Sequence, residues 1–209
     1  TKMSFVVPVF QMLGYDVFNP NEFCPEYTAD VGIKKGEKVD YAIMNGKDPI
    51  ILVECKSCNE ELEKHSSQLF RYFGTTKAKF GILTNGIIYR FFTDLEESNK
   101  MDLVPFLEID MLNLKDTLIP ELRKFHKANF DTDKIFNTAE ELKYTKLIKD
   151  YMQKEFETPS DDFSKLILSH VYDGVKTQKI IDKYTPLIKR ALNSFVSDIV
   201  NQRLSAALD

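Results

Sequence analysis

The stretch Val39-Asp40-Tyr41-Ala42-Ile43-Met44-Asn45-Gly46-Lys47-Asp48-Pro49-Ile50-Ile51-Leu52-Val53-Glu54-Cys55-Lys56 decides the reading of this chain. Two apolar, β-branched runs flank Asn45-Gly46 and Asp48-Pro49, the signal for a β-hairpin. Side chains alternate faces along a strand, so Glu54 and Lys56 share one side and Cys55 takes the other. If the two strands pair antiparallel, Asp40 lies beside them. Charges ending so apolar a run are costly to bury unless something compensates them. Two carboxylates with waters and a backbone carbonyl make the hard-oxygen site that Mg²⁺ prefers. A neighbouring lysine can orient or activate a water, or stabilise charge on a phosphate. A Glu-x-Lys at a strand end is by itself most often a solvated pair; the acid on the preceding strand is what raises it above that.

Working outward, short strands are expected at about 24–32, 39–44 and 50–55. A helix follows over 60–75, then a second hairpin of 79–84 and 87–92 around Asn85-Gly86, and a last strand at 104–109. Met3, Val6, Val7, Phe10 and Leu13 have helical spacing, so a helix opens the chain and Gly14 ends it. Seven of the eight glycines lie in the first 86 residues and only Gly174 comes later, so turns belong to the first part and helices to the second. Beyond Leu112 the period is 3.6, with a capping box at Thr138-Ala139-Glu140-Glu141, a Ser160 or Asp161 cap, and Thr185-Pro186 in a first helical turn. The expected fold is α/β, a mixed sheet flanked by helices over 1–109, with an all-helical region over 110–209.

The chain has 209 residues, of which 28 are Lys or Arg and 32 are Asp or Glu, a net charge of −4. This balance argues against bulk coating of nucleic acid but allows a local basic groove. Three cysteines, an odd number, fit a reducing cytoplasm better than a disulfide framework. No apolar run is long enough for a membrane span, and the opening residues carry no signal-peptide pattern. Cytoplasmic localisation without membrane association is therefore expected.

Helical steps of 4, 3 and 4 place Glu61, His65, Gln68 and Tyr72 on one helix face, with Leu62, Leu69 and Phe73 on the packed side. Asp40, Glu54-Cys55-Lys56, Gln68-Leu69-Phe70-Arg71-Tyr72 and Ile82-Leu83-Thr84-Asn85-Gly86 together resemble the N-terminal nuclease domain of type I restriction enzyme R subunits. That domain belongs to the PD-(D/E)xK nuclease superfamily. Leu13-Gly14-Tyr15 and Pro25-Glu26 also fit, and the resemblance covers roughly the first half of the chain. It implies a restriction-endonuclease-like fold in which Asp40 and Glu54 hold Mg²⁺, with Mn²⁺ as a substitute, and Lys56 is the catalytic lysine. Glu26 is implied as the extra acid, and Gln68 and Tyr72 as accessory residues that position DNA or the lysine. The family's Pro-Asp is Val39-Asp40 here.

The expected activity is metal-dependent hydrolysis of DNA phosphodiester bonds in a restriction-modification role. The alternative is a non-catalytic DNA-binding or protein-interaction module on the same fold. R subunits carry a helicase motor, but no Gly-x-x-x-x-Gly-Lys-Ser/Thr loop occurs here. Lys34, Lys35, Lys38 and His65 are the candidate DNA-backbone contacts, set against a solvated lysine-rich turn and an ordinary helix histidine. Cys55-x-x-Cys58 lacks the second pair that a zinc site needs. DNA, a second copy of the chain through the helical region, and other restriction-modification subunits are the expected partners.

Overall fold

The computed structural model describes residues 1–28, 38–62 and 67–208. A wide π-type turn over Lys2–Val6 leads into α1 (Val7–Met12). Six strands follow: β1 (Phe23–Tyr27), β2 (Val39–Asn45), β3 (Asp48–Cys55), β4 (Phe80–Thr84), β5 (Ile88–Phe92) and β6 (Leu107–Asp110). They form one sheet in sequential order, and α2 (Ser67–Thr75) lies between β3 and β4. Neighbours are antiparallel except β3 and β4, which run parallel because the helix-bearing connection returns the chain to the same end of the sheet.

Alternation along β3 divides its side chains between two cores. Ile51, Val53 and Cys55 join Phe10, Phe23, Tyr41, Phe80 and Ile82 on one face, while Leu52 joins Leu69, Tyr72, Phe73 and Leu83 under α2 on the other. The first face is filled by aromatic rings, with Phe91 and Phe125 at 4.6 Å and Phe80 and Phe125 at 5.6 Å between centroids. The turn between β4 and β5 is tied by its own side chains. Thr84 Oγ1 accepts from the Gly86 N–H, and Asn85 Oδ1 accepts from the Ile87 and Ile88 N–H groups. Gly86 has φ +87°, and a Cβ there would stand 2.8 Å from Phe5 Cβ and 2.9 Å from Thr1 Cγ2. The opening turn is thus packed directly on this hairpin.

The chain forms two compact units, Thr1–Tyr144 and Thr145–Asp209. The first continues past β6 because Leu122, Phe125, Ile135 and Ala139 bury themselves in the aromatic core. These residues come from α3 (Ile119–Arg123), the loop after it, and α4 (Thr132–Glu157). In the second unit α5 (Asp161–Val171) packs on α6 (Gln178–Leu208) through Leu168, Ile181 and Ile188. Among the described residues, no helix is long and apolar enough to cross a membrane.

Several expected boundaries move. β1 ends at Tyr27, and residues 29–37 lie outside the described residues. The helix expected over 60–75 is seen as α2 from Ser67, and residues 63–66 lie outside the described residues. Thr138 does not open a helix: α4 starts at Thr132, and the Thr138 hydroxyl donates to the Lys134 carbonyl within it. α6 likewise starts upstream, at Gln178, leaving Pro186 inside the helix. Ser160 caps α5 as expected, accepting from the Phe163 N–H.

Candidate active site

The register of β2 and β3 pairs Tyr41 with Val53 and Ala42 with Leu52. One step further along, Asp40 stands opposite Glu54. The register of β1 and β2 pairs Pro25 with Tyr41 and Tyr27 with Val39, so Glu26 falls opposite Asp40. Three acids therefore occupy one row across three neighbouring strands, at the end of the sheet where β3 and β4 both finish.

Their side chains differ in setting. Glu54 is buried at 4% exposure. Its Oε1 accepts from Lys56 Nζ at 2.7 Å, whereas its Oε2 is buried and finds no hydrogen-bond partner among the described residues. Burial is the main reason its carboxyl is held above the usual range; the Lys56 hydrogen bond opposes that shift and the Asp40 charge adds to it. Asp40 is fixed from both sides: Oδ2 accepts from the Cys55 N–H at 2.7 Å, and Oδ1 receives the Lys2 ammonium. That hydrogen bond to Asp40 is the main reason the Lys2 ammonium is held above its ordinary value. Glu26 is exposed, with Oε2 at 2.7 Å from Lys38 Nζ. Its backbone is left-handed at φ 50°, an uncommon conformation for glutamate.

Lys2, Pro25, Glu26, Asp40 and Tyr41 line a cleft of about 340 Å³ beside this row. An apolar pocket of about 210 Å³ adjoins it, sharing Pro25 and Tyr41 and adding Met3 and Phe18. Burial raises the Tyr41 hydroxyl, and the same effect pushes the Cys55 thiol well up. Cys55 therefore lies buried as a thiol on the opposite face of the sheet, and Cys24, Cys55 and Cys58 are all free.

Gln68, at the start of α2, donates to the Lys38 carbonyl and so ties the helix to the entry of β2. Tyr72 is not on the open face with Gln68. It is fully buried with Leu69 and Phe73, so the expected placement of its side chain on a DNA-facing surface is not what the structure has. The 4-residue step from Gln68 to Tyr72 turns 400°, about 40° past a full revolution, enough to carry the ring across the edge of the buried stripe. Lys38 is described and pairs with Glu26. Lys34, Lys35 and His65 lie outside the described residues.

A divalent cation fits the donor set in two respects. Mg²⁺ is commonly held by one or two carboxylates together with waters and substrate phosphate. Asp40 and Glu54 supply two, and the buried Glu54 Oε2 is a polar atom that the protein groups described leave unsatisfied. Among the described residues no three or more His, Cys, Asp and Glu side chains gather as a metal site. The fit therefore rests on two acids and not on a full cage.

An acidic pair with a lysine, set where parallel strands end in a mixed sheet flanked by helices, places this protein in the α/β class with restriction-endonuclease-like architecture. Residues 6–107 match the family described as the type I restriction enzyme R protein N terminus. No curated protein and no solved structure matches the chain. Sequence reasoning missed Lys2. Its partner is 38 positions away, and no local pattern announces an ion pair between the opening turn and β2.

Proposed function

We propose that the chain is a divalent-cation-dependent endonuclease that hydrolyses DNA phosphodiester bonds in a restriction-modification setting. The observation that carries this reading is the opposed pair of Asp40 and Glu54, with Lys56 on one Glu54 oxygen and the other oxygen buried and unpartnered. The match of residues 6–107 to the R-protein N-terminal family supports the restriction setting, with DNA and restriction-modification subunits as partners.

Asp40 and Glu54 would hold Mg²⁺ or Mn²⁺. When bound, such a cation polarises the phosphate and lowers the pKa of a coordinated water. The rest belongs to the chain itself. The Cys55 N–H fixes the Asp40 carboxylate so that Oδ1 is its presented oxygen. Lys56 favours the ionised form of Glu54 against the opposing pull of burial. Its own ammonium, part-buried with the side chain 19% exposed, is the cation placed to hold a water or stabilise charge on the phosphate. Gln68 braces the entry of β2, two residues before Asp40.

Cleavage of plasmid and single-stranded DNA in Mg²⁺ or Mn²⁺ tests the reading. Asp40→Asn, Glu54→Gln and Lys56→Met should each lower the rate by about a hundredfold or more. Wild-type rates in all three would sink it. A non-catalytic DNA-binding module is the second reading, favoured by the lysine already balancing each carboxylate. That module would bind DNA with salt-dependent affinity and cut nothing.

The helical region supports self-association, since α6 exposes Phe195, Val196, Val200 and Leu204 along one side. Sedimentation of the wild type against Phe195→Glu should show a dimer shifted toward monomer.

A further inference from the structure

We infer that Lys2 holds the cation's place at the Asp40 carboxylate and, once displaced by the cation, becomes a phosphate contact in the adjoining cleft. This rests on the proposed cation site and adds a residue to it.

Asp40 has two oxygens, and Oδ2 is taken by the Cys55 N–H. Oδ1 is the oxygen that the backbone leaves free, and the Lys2 ammonium is on it. A divalent ion held by Asp40 and Glu54 therefore competes with Lys2 for one oxygen. No such competition arises at Glu54, where Lys56 occupies Oε1 and Oε2 is unpartnered among the described residues.

Displacement does not carry Lys2 away. Its backbone belongs to the π-type turn that packs on the Thr84-Asn85-Gly86 hairpin through Thr1 and Phe5. The Phe5 carbonyl of that turn also accepts from the Tyr89 hydroxyl at 3.2 Å. The backbone is anchored while the long side chain is half-exposed, 50%, and lines the cleft together with Pro25, Glu26 and Tyr41. An ammonium released from Asp40 thus stays in the cleft.

Charge then favours an anion there. Asp40, Glu54, Lys56 and Lys2 sum to zero as they stand. A divalent cation raises the same group to +2, so phosphate is drawn in after the cation and not before it. Glu26 does not cancel this gain, because Lys38 is already paired with it.

Lys2→Met removes the ammonium while keeping an apolar stem, and the inference assigns it opposite effects on two affinities. Ca²⁺ or Mn²⁺ binding measured by calorimetry without DNA should tighten by a factor of about two to five, the value of one partly exposed ion pair. Binding of a short DNA duplex in Ca²⁺ should weaken, because the released contact is gone. A residue that only supported the fold would weaken both. Unchanged or weaker cation binding in Lys2→Met, with normal binding in the wild type, overturns the role of Lys2 and leaves the site intact. Absence of cation binding in the wild type and Lys2→Met alike overturns the site itself. Lys2→Arg, which keeps the charge, should restore wild-type cation affinity and most of the DNA affinity.

Discussion

Lys143 has a side chain only 1% exposed, a burial that a lysine tolerates only where its charge is met. It is met by Asp102 Oδ2 at 2.9 Å and Glu96 Oε1 at 2.7 Å, which pin the segment after β5 to α4. Burial pulls the ammonium down, but the hydrogen bonds to Glu96 and Asp102 outweigh it and the net shift is upward from 10.5. A lysine raised in the fold contributes its stability fully below the unfolded value, and loses it as pH rises through the folded one. Lys143→Met should therefore cost about 3 kcal/mol near neutrality, since Asp102 is left buried without its cation. Thermal melts should show the gap to wild type narrowing only above pH 10.5. Gly86→Ala makes a second test. The φ of +87° and the 2.8 Å approach to Phe5 both oppose a methyl group. A loss of about 1–3 kcal/mol in denaturant unfolding is expected. At this scale Glu54 and Lys56 were legible from strand alternation, and Asp40 from the hairpin that pairs β2 antiparallel to β3. Lys2 was not, because its contact exists only once the opening turn packs on a distant hairpin.

Elements were read well where periodicity and turn chemistry agreed. Asn45-Gly46 and Asn85-Gly86 do turn hairpins, and Gly46 and Gly86 take positive φ there. Reading failed where a helix contains residues that elsewhere begin one. Thr138 bonds back to Lys134, and Thr185 bonds back to Ile181, each satisfying its hydroxyl inside a helix that began earlier. Pro186 follows Thr185 and interrupts the backbone hydrogen-bond ladder of α6. Pro186→Ala should stabilise the second unit by up to about 3 kcal/mol, raising its melting midpoint. An unchanged or lower midpoint would mean that the interruption is used by the packing of α5 on α6. Tyr72 marks the same difficulty within α2: an i, i+4 step places two residues near one another, yet the edge of the buried stripe can pass between them.

For the whole molecule, the division of labour by glycine holds in outline, with turns and strands first and helices after. The boundary expected between residues 109 and 110 coincides with the end of β6, but the first compact unit continues to Tyr144 because the aromatic core takes in Phe125, Phe130 and Ile135. Composition registers secondary structure, and the reach of a core is set by contacts between distant segments. Net charge behaves similarly. The value of −4 says little about a site in which acids and lysines are balanced one against one.

The aromatic content has an optical consequence. The chain holds 16 phenylalanines and no tryptophan. Phe18, 82% exposed, lines the apolar pocket that shares Pro25 and Tyr41 with the cleft. Phe18→Trp would install a single fluorophore at the rim of that cleft without touching the acids, against a background of tyrosine emission alone. Its quenching by Mn²⁺ and its shift on adding DNA would report the order in which cation and nucleic acid arrive, in real time and without a label.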